Sequence, residues 1–202
     1  MLSPSIEQLI KIFAKFPTIG PKTAGRFVFY LLQSPALTSD EIIKAIQDLK
    51  TKTKVCPWCF KIFENETLEL CEICANPSRD KSLICIIEKE IDLEAIEKTA
   101  TYKGLYFILG RVLPILKKEN EQKTLETNVE KLCDRIKNTH GIKEIILALN
   151  STLEGQNTIL WLKRKLNGCN IKISCLAQGI PLGGEIEYAD EETISSALEN
   201  RR

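Results

Sequence analysis

Apolar residues recur at spacings of three and four along the first fifty positions. Ile6, Leu9, Ile10, Phe13 and Phe16 fall on one helical face, with Ser5 as the expected N-cap. Pro17-Thr18-Ile19-Gly20-Pro21 then breaks the pattern sharply. A second amphipathic stretch follows, with Ala24, Phe27, Val28, Leu31 and Leu32 apolar, and Pro35 stops it. Ser39-Asp40 is the expected cap of a third helix through Ile42, Ile43, Ile46 and Leu49. Residues 54–78 hold neither period for long enough to make a helix or a long strand. From residue 81 short apolar runs alternate with helical patterns. Leu83–Glu88, Leu105–Leu109, Glu144–Leu149 and Ile171–Leu176 read as strands; Leu93–Lys98, Leu125–Lys137 and Glu154–Leu166 read as helices. Within Leu125–Lys137, Val129, Leu132 and Ile136 share a face. Strands alternating with helices imply βαβ crossovers and a mostly parallel sheet. A Gly-containing stretch, Gly179–Glu185, precedes a last helical signal at Ser195–Asn200.

The chain has 202 residues, enough for one large or two small domains and for a core that needs no disulfide staple. Charge is balanced, with 28 Lys+Arg against 27 Asp+Glu, which excludes a histone-like polycation and an acidic tail protein. No apolar run approaches the roughly 20 residues of a membrane span, and no secretory signal pattern is visible. The expectation is a soluble, cytoplasmic protein. The overall balance hides an uneven distribution. Residues 1–54 carry eight basic and four acidic residues, and residues 55–80 carry two and five. The first segment is the expected face for a polyanion.

Four of the eight cysteines form two close pairs, Cys56/Cys59 and Cys71/Cys74, in the spacing C-x2-C-x11-C-x2-C. Two residues between cysteines let both thiolates turn onto one ion. Two such knuckles supply the closed tetrahedral sulfur set of a structural Zn²⁺ site, with no position left open for catalysis. Cys56-Pro57-Trp58-Cys59 also suits iron. Redox pairs or buried free thiols are the bland alternative. Cys85, Cys133, Cys169 and Cys175 are expected to be small core residues.

Residues 11–30 hold four basic residues and no acidic one. Phe16–Phe27 resembles a helix-hairpin-helix turn. Gly20 lets the backbone approach a phosphate, and the following helix presents its N-terminal N–H groups to the anion. Lys22 and Arg26, four apart, project from one face. This is chemistry for backbone contact with DNA rather than base reading. The alternative is an ordinary αα-turn with solvated lysines.

Glu88 ends the first strand of the α/β part, where open sheets place functional residues. Asn150-Ser151-Thr152-Leu153-Glu154-Gly155 ends the third. A metal-dependent phosphoryl-transfer centre needs several converging carboxylates, and only Glu88 and Glu154 are on offer. Their alternative role is helix capping or ion pairing. His140, the single histidine, falls in a loop, where pairing with Cys133 is conceivable but solvation is expected. No phosphate-binding GxxxxGK[ST] loop occurs.

These parts in this order resemble the RecR recombination-mediator family: hairpin motif, four-Cys module, Toprim-like α/β domain. The stretches that carry the resemblance are 17–26 (PTIGPKTAGR), the two CxxC pairs, 84–97 (ICIIEKEIDLEAIE), 151–155 (STLEG) and 177–190 (AQGIPLGGEIEYAD). It spans nearly the whole chain. It implies a DNA-repair protein that is not an enzyme, that forms ring-like dimers or tetramers, and that works with RecO and RecF to load RecA on gapped DNA. It also implies DNA contact through Lys22 and Arg26 beside Gly20, structural Zn²⁺ on Cys56, Cys59, Cys71 and Cys74, and Toprim acidic or partner-binding positions at Glu88 and Glu154. Three departures stand out. Thr18 replaces a usual Gly, Gln156 stands where an acidic residue is frequent, and 111–120 differs from the family's usual stretch. The Asp-x-Asp pair of Toprim enzymes that cut DNA corresponds to Asn150 and Thr152.

The organisation expected from all this is α+β in several parts. A helical hairpin region occupies 1–53, a four-cysteine zinc module 54–78, a Toprim-like α/β domain 79–176, and a Gly-containing tail with a helix 177–202, an expected oligomer contact. The leading functional expectation is a zinc-stabilised recombination mediator binding single- and double-stranded DNA by its backbone, as a homodimer or homotetramer with no membrane association. The alternatives are a Toprim-type Mg²⁺-dependent nuclease or topoisomerase-like enzyme using Glu88 and Glu154, and a zinc-ribbon scaffold that binds protein only.

Overall fold

A computed structural model describes residues 2–65, 67–114, 119–138, 141–169 and 171–201. The chain divides into two compact units at Thr53/Lys54. In the first, α1 (Pro4–Phe13), α2 (Pro21–Gln33) and α3 (Ala36–Lys52) follow one another. Pro4 in the first turn fixes the start of α1, so Ser3 stands at the N-cap and Ser5 lies inside the helix. The expected cap at Ser39-Asp40 is likewise displaced. Pro35 occupies the N-cap of α3 with φ −53°, and its carbonyl accepts from the Thr38 amide, so the helix begins earlier. In α2 only Ala24 and Val28 are buried, and Phe27 and Leu32 are exposed. The apolar stripe is therefore narrower than the sequence pattern. On α3, Ile42, Ile43, Ile46 and Leu49 are all exposed.

The second unit opens with the cysteine region. It holds a two-stranded ribbon, β1 (Thr53–Val55) with β2 (Ile62–Glu64), and a single turn of helix, α4 (Glu72–Ala75). The α/β part then runs β3 (Asp80–Ile87), α5 (Glu90–Lys98), β4 (Gly104–Ile108), α6 (Glu119–Asn138), β5 (Glu144–Ala148), α7 (Leu153–Leu166), β6 (Lys172–Cys175) and α8 (Glu191–Glu199). Short 3₁₀ turns lie at Asn167–Cys169 and Ile186–Tyr188. The sheet order is β4-β3-β5-β6, and every pair is parallel. The expected strands and helices of this part are all present, within a few residues of their expected ends.

Strand β3 lies inside the sheet and is covered on both faces, which is why Ile84–Ile87 is an unbroken apolar run. Helix α6 covers the core with Leu125, Val129, Leu132 and Ile136, all buried and at helical spacing. Leu162 and Leu166 of α7 are buried as well. The buried core is continuous from the four paired cysteines to these residues. Of the remaining cysteines only Cys85 is a core residue; Cys133 and Cys169 are half-buried and Cys175 is exposed. Strand β6 ends the sheet order, so the flank of Cys175 away from β5 has no neighbouring strand. His140 and residues 115–118 of the altered 111–120 stretch lie outside the described residues.

Candidate functional site

The cysteine centre is built by two knuckles. In the first, the Cys56 amide donates to the Lys61 carbonyl (2.8 Å) and the Phe60 amide to the Cys56 carbonyl (2.9 Å). Phe60 adopts φ 63°, the left-handed bend that folds the loop back on itself. In the second, Cys71 stands at the N-cap of α4 and its carbonyl accepts from the Ala75 amide. All four cysteines are buried, and their sulfurs lie within 4.8 Å of one another. Mutual hydrogen bonding with Cys59, Cys71 and Cys74 drives the Cys56 thiol far down from its ordinary range. Four converging sulfurs, and no other donor, suit a soft tetrahedral ion. Among the described residues this is the one cluster of three or more His, Cys, Asp or Glu side chains spaced to hold a metal.

The module is fastened to the α/β core. The Ile108 amide at the end of β4 donates to the Cys59 carbonyl (2.9 Å). Phe60 packs edge-on to Phe107, ring centroids 5.2 Å apart. From α6, Lys131 stands over the Phe60 ring, and Arg135 stacks on Trp58 at 5.1 Å while donating to its carbonyl (2.9 Å). Glu90 of α5 accepts from the Ile62 amide. Sequence reasoning missed Arg135, Lys131 and Glu90. They lie far along the chain from the cysteines, and no spacing rule links them. Trp58 within the first knuckle and Phe60 just after it are the only hint.

At the carboxyl ends of the strands, Glu88 follows β3 and is buried. One oxygen pairs with Lys89 (2.9 Å) and the other accepts from the Asn150 side-chain amide (3.1 Å). Thr152 is the N-cap of α7, and its hydroxyl accepts from the Gly155 amide (3.1 Å). Gly155 is required there: a Cβ would lie 1.9 Å from the Asn150 carbonyl oxygen. Glu154 is half-buried in the first turn of α7. Gln156 donates to Glu192 of α8 (3.4 Å). A cleft of about 540 Å³ opens beside this edge, lined in part by Asn150, Ser151, Gln178 and Glu192. The structure thus couples Glu88 to Asn150, and uses Thr152 as a cap.

The hairpin lies in the first unit. Phe13 packs against Phe16 and Phe27, and Ile10 lies 3.9 Å from where a Cβ of Gly25 would stand. These contacts set α1 against α2 across the turn. Thr18 carries φ 65°, so the left-handed position of the turn falls on it and not on Gly20. Gly20 is extended and serves as the N-cap of α2; it has no side chain to cap the helix, and a Cβ there would meet nothing within 4 Å. The Lys22 and Thr23 amides are left without a capping oxygen. Lys22 and Arg26 are both exposed, one turn apart.

Comparison with known proteins bears on the hairpin, the α/β part and the tail. A RecR helix-hairpin-helix profile matches residues 6–50, a Toprim domain profile residues 82–177, and a RecR C-terminal profile residues 179–202. The chain is 42% identical over 198 residues to recombination protein RecR of Bifidobacterium adolescentis, covering 98% of this chain and 96% of that one. It is 40% identical over 201 residues to the RecR of Chlorobium chlorochromatii, covering 98% and 97%. The RecR of Roseiflexus castenholzii is 38% identical over 203 residues, covering 100% and 95%. No helix among the described residues is long and apolar enough to cross a membrane.

Proposed function

The chain belongs to the RecR family of recombination proteins, and from that premise we propose that it is a DNA-binding mediator of recombinational repair and not an enzyme. The observation that carries this reading is the hairpin. Gly20 leaves two helix N–H groups uncapped beside an open approach, and Lys22 and Arg26 flank it. Helix dipole, free amides and two cations together suit a phosphate. Contacts of this kind fix position on a duplex or single strand without reading bases.

The four cysteines hold one structural Zn²⁺ in this reading, which ties the knuckles into the α/β core. The Toprim part serves as a protein-binding platform around Glu88 and Glu154. The partners are RecO and RecF, and the outcome is RecA loading on gapped DNA. The chain works as a homodimer or homotetramer. Its exposed apolar residues on α3, and Leu182, Ile186 and Tyr188 of the Gly-containing tail, favour self-association. A ring multiplies modest hairpins by effective concentration. The engagement of Glu88 by Asn150 and Lys89 favours the mediator over a Mg²⁺-dependent nuclease.

The test is a gel shift on duplex and gapped DNA with Mg²⁺ across a salt series, then a denaturing gel of the same samples. The expected result is a salt-sensitive shift with intact strands. Lys22→Ala with Arg26→Ala should flatten the salt dependence by about 1.8 in log–log slope. Strand cleavage that Glu88→Ala abolishes would replace the mediator with the nuclease.

A further inference from the structure

The parallel sheet has two ends, and they differ in charge. The carboxyl end carries Glu88, Glu154 and the acidic start of α8. The amino end carries lysines, one at the start of every strand. Lys81 is the second residue of β3, Lys103 and Lys143 immediately precede β4 and β5, and Lys172 begins β6.

Strand register brings the four to one end of the sheet, staggered along it: Glu144, the residue after Lys143, is the one paired with both Leu83 and Lys172. The Asp80 amide donates to the Lys103 carbonyl (2.8 Å), the Lys143 amide to the Ser82 carbonyl (2.8 Å), and the Lys172 amide to the Lys143 carbonyl (3.1 Å). In sheet order Lys103, Lys81, Lys143 and Lys172 follow one another across four strands, about 14 Å of sheet width. All four are exposed. Lys172 is spent on Glu144 (3.0 Å), and Glu144 is further occupied by Ser174. The other three make no close ion pair among the described residues, while Lys143 acts on Asp80 and Lys103 on Glu97 at longer range. Asp80, the acidic side chain at the start of β3, is turned back onto the Ser82 amide and hydroxyl.

Helix dipoles explain part of the basic charge at this end, because the crossover helices terminate there. Lys98 closes α5, and Lys163-Arg164-Lys165 lies in the last turn of α7. They do not explain the strand-start lysines. Strands carry little net dipole, so nothing in the fold asks for a lysine at each strand start.

We propose that this edge is a second phosphate-backbone contact for DNA, built from residues other than the hairpin. The inference rests on the DNA-binding reading above. Three exposed lysines at one end of the sheet, with the basic end of α7 on the same side, complement a polyanion with regularly spaced charge; a duplex offers one every ~1.7 Å of axis. These lysines offer no aromatic platform and no side-chain fork for base edges. The edge therefore contacts DNA without sequence preference.

The experiment is fluorescence anisotropy of the full-length protein on a labelled duplex across a salt series. Three proteins are compared: wild type, Lys22→Ala with Arg26→Ala, and Lys81→Gln with Lys103→Gln and Lys143→Gln. The edge variant should bind at least ~10-fold more weakly at moderate salt and lose up to about 2.7 from its log–log slope. Amine acetylation of the wild type, read by mass spectrometry with and without DNA, should show Lys81, Lys103 and Lys143 protected. This second readout needs no variant to fold. An edge variant with wild-type affinity and slope, beside a hairpin variant that loses both, overturns the edge and leaves the DNA-binding reading standing. Absence of DNA binding by the wild type overturns both. An edge variant that keeps its DNA affinity but loses binding to a polyglutamate peptide overturns the proposal in favour of an acidic protein segment.

Discussion

The cysteine module and the carboxylate edge are two places where the sequence offers metal-binding side chains, and they differ in what surrounds those side chains. In the module four sulfurs converge, all buried, and the surrounding backbone is hydrogen-bonded so as to hold the knuckles and dock them. At the edge, the positions that would complete a carboxylate set are Asn150 and Thr152. One is hydrogen-bonded to Glu88 and the other caps α7. A structural metal site needs its full donor set and is then part of the core. The carboxylate edge keeps the backbone geometry of its turn without the donors. Its tight turn leaves no room for a Cβ at Gly155, so a constrained backbone alone does not make a metal centre.

The largest effect should follow removal of a sulfur. Cys56→Ser should lose the metal and destabilise the second unit by on the order of 5 kcal/mol, since binding free energy in such modules is folding free energy. Thermal melting with elemental analysis checks it, and a metal-free variant with an unchanged melting temperature would make the ion dispensable. Next is the docking of the module. Arg135→Ala removes the stack on Trp58 and the bond to its carbonyl, for a loss of about 2 kcal/mol in urea unfolding with the metal still bound. An unchanged unfolding midpoint would show that the module does not lean on α6.

The carboxylate edge can be pushed the other way. Asn150→Asp with Thr152→Asp places a second negative charge against Glu88 while preserving a capping oxygen. In the absence of divalent ions this should cost about 1–2 kcal/mol. Added Mg²⁺ should raise the melting temperature of the variant and leave that of the wild type unmoved. A wild-type protein stabilised by Mg²⁺ as strongly as the variant would dissolve the contrast. The smallest change concerns Thr18, a departure that keeps the shape of a turn at a cost rather than losing its chemistry. A β-branched residue at φ 65° is strained. Thr18→Gly should stabilise the full-length protein by about 1 kcal/mol without weakening DNA binding. A destabilised variant would mean that the threonine side chain contributes more than its strain costs.

Much of this was legible in the sequence because it depends on local rules. Spacing gave the two CxxC knuckles. Short continuous apolar runs gave the strands and a period of 3.6 the helices of the α/β part, and Val129, Leu132 and Ile136 are buried as their spacing implied. Helix starts were less legible. Proline outranks serine as a start signal, and Pro4 and Pro35 moved the caps away from Ser5 and from Ser39-Asp40. The apolar residues of α2 and α3 lie on helices as expected, and many of them are exposed in the single chain, since periodicity marks which residues share a face and not what covers it. The sequence points to Gly20 as the turn's glycine, while the positive φ falls on Thr18. A departure from glycine in the sequence pointed to the position, but only backbone geometry tells whether the turn bends there.

By itself the sequence determined the four cysteines spaced to hold a metal, the order of the parts, the alternation that makes a parallel sheet, and the basic hairpin. Each of these follows from local motifs and periodicities read in order along the chain. Tertiary structure alone decided that Arg135 and Lys131 clamp the first knuckle and that Asn150 occupies Glu88. It also decided that four lysines from four strands gather at one end of the sheet. Those groups are separated by tens of residues, and they meet because hydrogen-bonded register and close packing bring distant backbone to one place.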